Sequence, residues 1–222
     1  MAREPQPDEF SAERQRMVDW QLRDRGISDE RVLDAFGRVP RHEFVAEKYR
    51  GQAYEDHPIP IGEGQTISQP YIVASTLQAL AIRAEDRVLD VGTGSGYQTA
   101  LLAELAHEVY SIERYEELAR RAEETLSRLG YANVKVLVGD GSEGLPQHAP
   151  FDEIAVSAAA PQVPPSLFQQ LAEHGRMVIP VGSTHSQQLQ LISKIDGRPQ
   201  TTLLEACRFV PFIGAQGYTI GW

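Results

Sequence analysis

Three glycines alternate along one short segment of this chain, between a predicted strand and a predicted helix. The segment consists of Gly92, Thr93, Gly94, Ser95 and Gly96. Glycine tolerates positive φ and lets a ligand approach the backbone, and the N-terminus of the following helix offers unpaired N–H groups. Dinucleotide sites usually show the spacing G-x-G-x-x-G, which places a pyrophosphate on the helix dipole. The different spacing here predicts a turn that binds another nucleotide-like ligand.

Two acidic residues flank this turn. Asp90 comes just before the first glycine, where its charge would repel a pyrophosphate but would suit a ligand with an ammonium and a sulfonium group. Glu113 lies 17 residues after Gly96, at the end of the next predicted strand. A carboxylate in that position can accept hydrogen bonds from both ribose hydroxyls. The charges and the spacing together indicate S-adenosylmethionine.

A third signal is the tripeptide Gly139-Asp140-Gly141, which follows the third predicted strand. It should lie at the same carboxyl edge of the sheet, where open α/β folds bind ligands. Asp140 could there accept a hydrogen bond from an adenine amino group. Because three signals coincide at one edge, we interpret them as parts of one cofactor site.

The residues of this predicted site lie in a part of the chain where short apolar runs alternate with helical stretches. Such alternation is typical of βαβ units that feed a parallel sheet. Strands are predicted over residues 87–91, 108–112, 134–138, 153–157 and 176–180. Helices are predicted over residues 98–105, 115–129 and 165–173. Two later runs, 188–195 and 203–210, are separated by Asp196-Gly197 and indicate an antiparallel pair.

The first 70 residues indicate a different organisation. One helix is predicted over residues 12–25, and a second begins after Ser28, a good N-cap, with its apolar side chains on one face. Residues 39–70 are too rich in proline and glycine for regular elements, but the segment is long for a passive loop, so we expect part of it to contact a ligand. We expect residues 1–222 to form a single domain. Its parts are 1–70 (N-terminal helices and substrate/cofactor loop), 71–182 (cofactor-binding α/β core) and 183–222 (C-terminal strands and tail).

Composition excludes several classes of function. The net charge of −10 opposes binding to a phosphate backbone, so nucleic-acid partners are disfavoured. The single cysteine, Cys207, cannot form an intrachain disulfide and favours a reducing compartment. No apolar run approaches the roughly 18 residues of a membrane span, and the N-terminus lacks an apolar leader. We therefore expect a cytoplasmic protein without a membrane partner.

Several segments of the chain resemble the protein-L-isoaspartate (D-aspartate) O-methyltransferase family. The segments are Gln65-Thr66-Ile67-Ser68-Gln69-Pro70, the glycine turn with its continuation to Ala100, and Ala149-Pro150-Phe151-Asp152. The first is the most specific, because many methyltransferases share the glycine turn. The resemblance implies an α/β, Rossmann-like class I S-adenosylmethionine-dependent methyltransferase. Its mostly parallel central sheet would be flanked by helices, with a small helical N-terminal portion and a C-terminal closing segment.

The resemblance also implies an activity. Such enzymes transfer a methyl group from S-adenosyl-L-methionine to the α-carboxylate of L-isoaspartyl residues, and more weakly to D-aspartyl residues, leaving S-adenosyl-L-homocysteine and initiating protein repair. The family's active-site serine corresponds to Ser68, and Gln65, Thr66 and Ile67 match cofactor-site positions. Many relatives carry a tryptophan where this chain has Ser142.

These arguments define a predicted site. The predicted cofactor-binding residues are Gln65, Thr66, Ile67, Ser68, Asp90, Gly92, Thr93, Gly94, Ser95, Gly96, Glu113, Arg114, Asp140 and Gly141. The acceptor carboxylate has a reference pKa of about 3.3 to 3.7, so methyl transfer needs no general base at neutral pH. Ser68 is predicted to be catalytic by orienting that carboxylate through its hydroxyl. A second interpretation is that Ser68 caps the helix that begins near Tyr71.

Other functions stay open at this point. The same cofactor site could serve a small-molecule carboxylate or an RNA, or belong to a non-catalytic binding protein, while a nicotinamide-dependent oxidoreductase disagrees with the glycine spacing. The histidines at 42, 57 and 107 are far apart and do not indicate a metal site. The expected partners are isoaspartyl proteins and peptides, and a monomer is expected.

Overall fold

The computed structural model describes residues 9–219. The helices are α1 (Ser11–Arg16), α2 (Glu30–Arg38), α3 (Pro70–Leu80), α4 (Tyr97–Leu105), α5 (Glu116–Leu129) and α6 (Pro165–Gln170). The strands are β1 (Ile59–Gly62), β2 (Gln65–Ile67), β3 (Arg87–Val91), β4 (Glu108–Glu113), β5 (Val134–Val138), β6 (Phe151–Val156), β7 (Leu171–Gly182), β8 (Gln187–Ile195) and β9 (Arg198–Cys207). No helix in this range is long and apolar enough to cross a membrane. Residues 1–8 and 220–222 of the predicted domain lie outside the described residues.

The main sheet of the described chain has the strand order β5-β4-β3-β6-β7-β8-β9. Neighbours from β5 to β7 run parallel, whereas β8 and β9 join antiparallel. The chain moves outward from β3 to β5 and then returns to the other side of β3, so the strand order reverses there. In open α/β sheets, ligands bind at the carboxyl ends of the strands at such a point. The predicted fold class is confirmed, and its ligand site is expected at the end of β3.

Side chains on the two faces of β3 pack into different hydrophobic cores. Val88 belongs to a core that includes Phe36 of α2 and Leu77 of α3, whereas Leu89 packs with Phe151 on the opposite face. A parallel strand covered on both faces needs such a continuous apolar run. The N-terminal helices therefore share a core with the sheet that carries the site.

The predicted N-terminal helices are confirmed in position and corrected in detail. Residues 12–25 are helical, but α1 continues into a π-helical turn and then a 3₁₀ turn before Gly26, at φ 97°, ends the segment. The prediction that Ser28 caps α2 is wrong. Asp29 is the N-cap, and its carboxylate accepts a hydrogen bond from the Arg31 backbone N–H at 2.9 Å. Ser28 donates its own N–H to the Gln78 side chain instead.

The prediction that residues 39–70 lack regular elements is wrong, because β1 and β2 form an antiparallel hairpin in this segment. Its turn is Glu63-Gly64 after Gly62, the last residue of β1, and the φ angles of these three residues are 51°, 67° and 98°. Glycine adopts such angles without steric cost, so the residues that broke the sequence pattern are those that form the turn. The hairpin leads directly into Ser68.

The C-terminal antiparallel pair is confirmed, but β9 begins earlier than residue 203. Asp196 and Gly197, with φ angles of 52° and 70°, form a two-residue turn that places Arg198 opposite Ile195. Two-residue hairpins with positive φ at both central positions match the twist of the strands they join. Similarly, α6 ends at Gln170 and not at residue 173, because β7 begins with the next residue.

Candidate active site

A cavity opens at the carboxyl end of β3, where the strand order reverses. The segment between β2 and α3, the glycine turn, the end of β4 and residues 210–213 of the tail border it. The predicted site residues that line it are Gln65, Thr66, Ile67, Ser68, Gly92, Thr93, Gly94, Ser95, Glu113, Arg114 and Gly141. Asp90, Gly96 and Asp140 are not part of the lining. The structure thus brings together segments that are far apart in the sequence.

The glycine turn has the backbone conformation that its composition predicted. Gly92, Gly94 and Gly96 have φ angles of 95°, 54° and 88°. The first two line the cavity, whereas a Cβ on Gly96 would lie 3.2 Å from the Cβ of Ala122 in α5. Gly96 therefore allows close packing of two helices, and the ligand-facing part of the turn is formed by the other two glycines.

Glu113 joins the glycine turn to the end of β4. Its side chain is only 6% exposed, and its carboxylate accepts hydrogen bonds from the N–H groups of Gly94 and Tyr115, at 2.9 Å and 3.0 Å. A carboxylate has about four lone-pair positions, so two of them stay available toward the cavity. Glu113 is the carboxylate that lines this cavity, as the sequence predicted.

Asp90 lies beneath the turn and not beside the cavity. It is fully buried and accepts hydrogen bonds from the side chains of Gln98, Thr99 and Ser111, at 2.9, 2.6 and 2.9 Å. Burial raises the pKa of Asp90, and these three donors partly counteract that effect. Gln98 also donates to the Ser157 hydroxyl at 2.8 Å, and both residues line the cavity. Through Gln98, Asp90 therefore helps to hold the cavity wall in place.

Asp140 is engaged by the C-terminal tail. One carboxylate oxygen accepts from the N–H and hydroxyl of Ser142, and the other accepts from the Ala215 N–H at 2.7 Å. The Ser142 hydroxyl in turn accepts from the Gln216 N–H at 3.0 Å. Burial opposes ionisation of Asp140, but the hydrogen bonds from Ala215 and Ser142 outweigh it and lower its pKa. Ser142 and Asp140 together fasten the segment whose residue Phe212 lines the cavity.

Replacing Asp140 by alanine should therefore loosen the tail. A hydrogen bond to a charged acceptor contributes about 1.5–3 kcal/mol, so losing the carboxylate that accepts from Ala215 and Ser142 should accelerate amide hydrogen exchange in residues 212–218 by about tenfold or more. Hydrogen exchange with mass spectrometry would measure this. Asp152→Ala is a matched control, because Asp152 also accepts a backbone N–H, that of Arg87, at 2.8 Å. Equal exchange of the tail in both variants would contradict the anchoring role.

Ser68 lies on the cavity wall with its hydroxyl available. The structure gives this hydroxyl no hydrogen bond to any residue within 9–219, while the Ser68 carbonyl accepts from Arg41 at 2.8 Å. The interpretation that Ser68 caps α3 is wrong. The N-cap is Gln69, and the Tyr71 N–H donates to the carboxylate of Asp56 at 3.2 Å. The hydroxyl of Ser68 is therefore free to meet a ligand.

Several lining residues were not predicted individually. They are Val73, Val91, Tyr97, Gln98, Ile112, Tyr115, Ser157, Ala158, Val210, Pro211, Phe212 and Ile213. Ser157 follows β6 directly, so the rule that ligands bind at the carboxyl ends of strands could have identified it. The tail residues carry no comparable signal. They reach the cavity because Ala159 exchanges backbone hydrogen bonds with Val210 and Phe212, each at 2.8 Å.

Metal ligation has no geometric support in the part of the chain that the structure describes. Residues 9–219 contain no group of three or more histidine, cysteine or carboxylate side chains placed to hold an ion. His42 Nδ1 instead lies 2.8 Å from the Tyr54 hydroxyl, and His57 Nε2 lies 3.0 Å from the Glu55 carboxylate. These histidines have ordinary protein partners.

Comparison with known proteins identifies close relatives. The family model for protein-L-isoaspartate(D-aspartate) O-methyltransferase matches residues 12–217. A protein-L-isoaspartate O-methyltransferase from Koribacter versatilis is 58% identical over 219 residues, which cover 99% of each chain. A solved protein-L-isoaspartate O-methyltransferase superposes with a TM-score of 0.83 at 31% identity, covering 92% of this chain and 67% of its own. A β-aspartate methyltransferase structure from Plasmodium falciparum, in complex with S-adenosyl-L-homocysteine, gives 0.79 at 28% identity, with coverage of 90% and 98%.

Proposed function

The chain belongs to the protein-L-isoaspartate(D-aspartate) O-methyltransferase family, and from that premise we propose how it acts on damaged proteins and peptides. It transfers the methyl group of S-adenosyl-L-methionine to the α-carboxylate of L-isoaspartyl residues, and more weakly of D-aspartyl residues, and so begins their repair. The observation that carries the proposal is the cavity at the end of β3. Residues 65–68, the glycine turn and Glu113 all line it.

The donor set of the cavity fits S-adenosyl-L-methionine. Glu113 has lone pairs left for the ribose hydroxyls, and the side-chain-free turn at Gly92 and Gly94 allows a close approach to the backbone. When bound, S-adenosyl-L-methionine supplies an electrophilic methyl group on a positively charged sulfur. The remaining cofactor contacts come from lining residues, namely Gln65, Thr66, Ile67, Thr93, Ser95, Arg114 and Gly141. In this proposal Asp90 and Asp140 act indirectly, through Gln98 and through the tail.

Ser68 orients the acceptor. The α-carboxylate is already ionised at neutral pH, since its reference pKa is about 3.3 to 3.7, so the enzyme need not remove a proton. The free hydroxyl of Ser68 donates a hydrogen bond to one carboxylate oxygen and holds the other toward the methyl group. Correct alignment of the reacting atoms is a large part of the rate that such a site can supply.

The tail excludes water from the reacting groups. Val210, Pro211, Phe212 and Ile213 line the cavity, and Phe212 is almost fully buried. Removing water strengthens the alignment, because a hydrated carboxylate would otherwise face the methyl group through its solvent shell. The hydrogen bonds of Asp140 and Ser142 to residues 215 and 216 keep this segment in place.

The proposal extends to the biological setting. Isoaspartyl proteins and peptides are the substrates, and the net charge of −10 supports a chain that works without nucleic acid. We propose that it works in the cytoplasm, as a monomer, and with residues 1–222 as one methyltransferase domain. The core shared by the N-terminal helices and the sheet supports the last point.

Replacing Ser68 by alanine should lower kcat/KM for an isoaspartyl peptide by about 10- to 100-fold, because a hydrogen bond to a charged group contributes about 1.5–3 kcal/mol. Affinity for S-adenosyl-L-homocysteine should stay within about threefold, since the cofactor keeps its other contacts. Initial rates with labelled S-adenosyl-L-methionine and titration calorimetry would measure both quantities. Ser127→Ala, on the exposed face of α5, is the control. A Ser68→Ala protein with full turnover would exclude the orienting role.

The activity itself is tested with matched peptides that carry either isoaspartyl or normal aspartyl at one position. Base-labile methyl label should appear with the isoaspartyl peptide alone. Label on neither peptide, together with intact S-adenosyl-L-homocysteine binding, would direct attention to a small-molecule carboxylate or an RNA as acceptor. Binding of a nicotinamide dinucleotide in place of S-adenosyl-L-homocysteine would contradict the cofactor assignment.

A further inference from the structure

Arg41 is a fully buried cation directly behind the Ser68 segment. Its Nε donates to the Ala53 carbonyl at 2.7 Å, and one terminal nitrogen donates to the Ser68 carbonyl at 2.8 Å. The guanidinium thus joins two chain segments that Asp56 also connects, through its contacts with Gln69 and the Tyr71 N–H. It is the group that fixes the backbone of Ser68 from behind.

The charge of Arg41 lacks a carboxylate partner among the described residues. No Asp or Glu within 9–219 lies within 4.0 Å of the guanidinium, and the second terminal nitrogen, Nη1, has no hydrogen-bond partner of ordinary geometry. Its charged and titratable surroundings are Tyr97, Tyr54, the more weakly interacting Asp56, and His57, on whose pKa the charge of Arg41 acts. Asp56 is already paired with Arg25 and Gln69. A buried cation without a counter-ion is costly, so a compensating charge is expected from elsewhere.

Tyr97 connects this cation to the cavity. The guanidinium lies over the Tyr97 ring, 4.8 Å from its centre, and Tyr97 lines the cavity beside Ser68. Its hydroxyl is also buried, and among the described residues it has no hydrogen-bond partner other than the guanidinium of Arg41. Burial raises the pKa of Tyr97, so the hydroxyl stays protonated and can act as a donor. Burial lowers the pKa of Arg41 only to about 10, which leaves it charged at neutral pH.

We propose that Arg41 is a positioning residue for the acceptor, whose fixed positive charge behind Ser68 and Tyr97 attracts the acceptor carboxylate and favours charged over neutral acceptors. The inference rests on the proposed function and names the group that recognises the acceptor's charge. The acceptor must bind to a chain with a net charge of −10, in a cavity that the carboxylate of Glu113 also lines. A cation behind the cavity wall offsets that repulsion.

The chemistry of methyl transfer determines which kinetic constant Arg41 controls. The attacking carboxylate and the positively charged sulfur become a neutral ester and a neutral thioether, so the carboxylate loses charge on the way to the transition state. An interaction with that charge is therefore stronger in the bound complex than in the transition state. Loss of Arg41 should therefore raise KM for the isoaspartyl peptide without lowering kcat.

The test compares Arg41→Gln with the wild-type chain on two peptides. One carries isoaspartyl, and the other carries the same residue with its α-carboxylate converted to an amide. Dissociation constants are measured by calorimetry with S-adenosyl-L-homocysteine present. We expect the preference for the carboxylate peptide to fall by about tenfold or more in Arg41→Gln, KM to rise similarly and kcat not to fall. Arg38→Gln, which removes an arginine paired with Glu104 outside the site, is the control.

Other results would overturn the inference. If binding of both peptides weakened equally, Arg41 would only support the shape of the cavity. A lower kcat at unchanged KM would mean that Arg41 acts only by aligning Ser68 through its carbonyl. Should Arg41→Gln fail to fold, Arg41→Lys decides, because it retains the charge and loses the planar fork: a kept carboxylate preference supports the inference, and a lost one overturns it. A wild-type chain that methylates no isoaspartyl peptide would instead contradict the proposed function.

Discussion

Replacing Glu113 by glutamine should weaken the binding of S-adenosyl-L-homocysteine by about two to three orders of magnitude. Hydrogen bonds to a charged group contribute about 1.5–3 kcal/mol each, and the proposed site has two of them to the ribose. The amide would also turn its NH₂ group toward one of the two backbone donors that the carboxylate now accepts, those of Gly94 and Tyr115. Both effects act on the lining carboxylate and add in the same direction. Titration calorimetry at fixed pH would measure the change.

Glu116→Gln is the matched control for this experiment. Glu116 lies three residues later, exposed in the first turn of α5, and is not part of the cavity lining. It should bind S-adenosyl-L-homocysteine like the unmodified chain. Urea unfolding distinguishes a variant that has lost only its ligand contacts from one whose glycine turn no longer folds. We expect the turn in Glu113→Gln to survive. An affinity within about fivefold of the original would exclude Glu113 as a main cofactor contact.

Periodicity predicted those parts of the fold in which one apolar run determines one element. The bounds of β3 and β5 agree with the prediction, because each is a short apolar run between clear breaks. The β1–β2 hairpin was missed because its turn glycines were interpreted as signs of irregular structure. β3 and β5 can each be recognised from their own residues, whereas the hairpin is recognised only when β1 is paired with β2.

In the candidate site, too, side chains whose partners are distant in the sequence could not be placed from the sequence alone. The glycine turn and Glu113 were predicted from their places in the strand–turn–helix pattern, and residues 65–68 from the resemblance to the methyltransferase family. The positions of Asp90 and Asp140 were not, because their partners are remote: Ser111 for Asp90, and Ala215, 75 residues away, for Asp140. The predicted negative lining is thereby reduced to Glu113, and the other two carboxylates hold the wall and the tail.

Sequence reasoning could not distinguish Arg41 from the other basic residues of the chain. In the sequence it is one of 21 basic residues and lies in a segment that showed no regular element. Only the three-dimensional structure reveals that its guanidinium is fully buried and reaches the Ser68 carbonyl. Charged residues are rarely buried without a partner, so burial is itself the signal. That signal arises from packing and is not present in the local sequence.

Glu153 is a buried carboxylate that should make the stability of this protein fall as the pH rises. It lies in β6, 4% exposed, and one of its oxygens has no hydrogen-bond partner within the described residues. Burial, with a contribution from Asp86, raises its pKa from 4.5 to about 9, although Arg176 opposes the change. Between these two values the folded chain binds a proton that the unfolded chain releases. The free energy of unfolding should therefore decrease by up to about 1.4 kcal/mol per pH unit across that window.

Glu153→Gln should remove this effect and stabilise the protein, because the amide resembles a protonated carboxyl and cannot ionise. At pH 7.5 we expect the free energy of unfolding to rise by about 2–4 kcal/mol, and its slope between pH 5 and 9 to become shallower by about 1 kcal/mol per unit. Urea unfolding at a series of pH values would measure both quantities. Glu123→Gln, an exposed change on α5, should leave the free energy of unfolding and its dependence on pH as they are.

Methyl transfer by Glu153→Gln should be unaffected, since Glu153 lies in the first half of β6, three residues before the strand reaches the cavity edge. An unchanged slope would mean that Glu153 is ionised in the folded chain at neutral pH, and its burial would then need a compensating cation, for which Arg176 is the candidate.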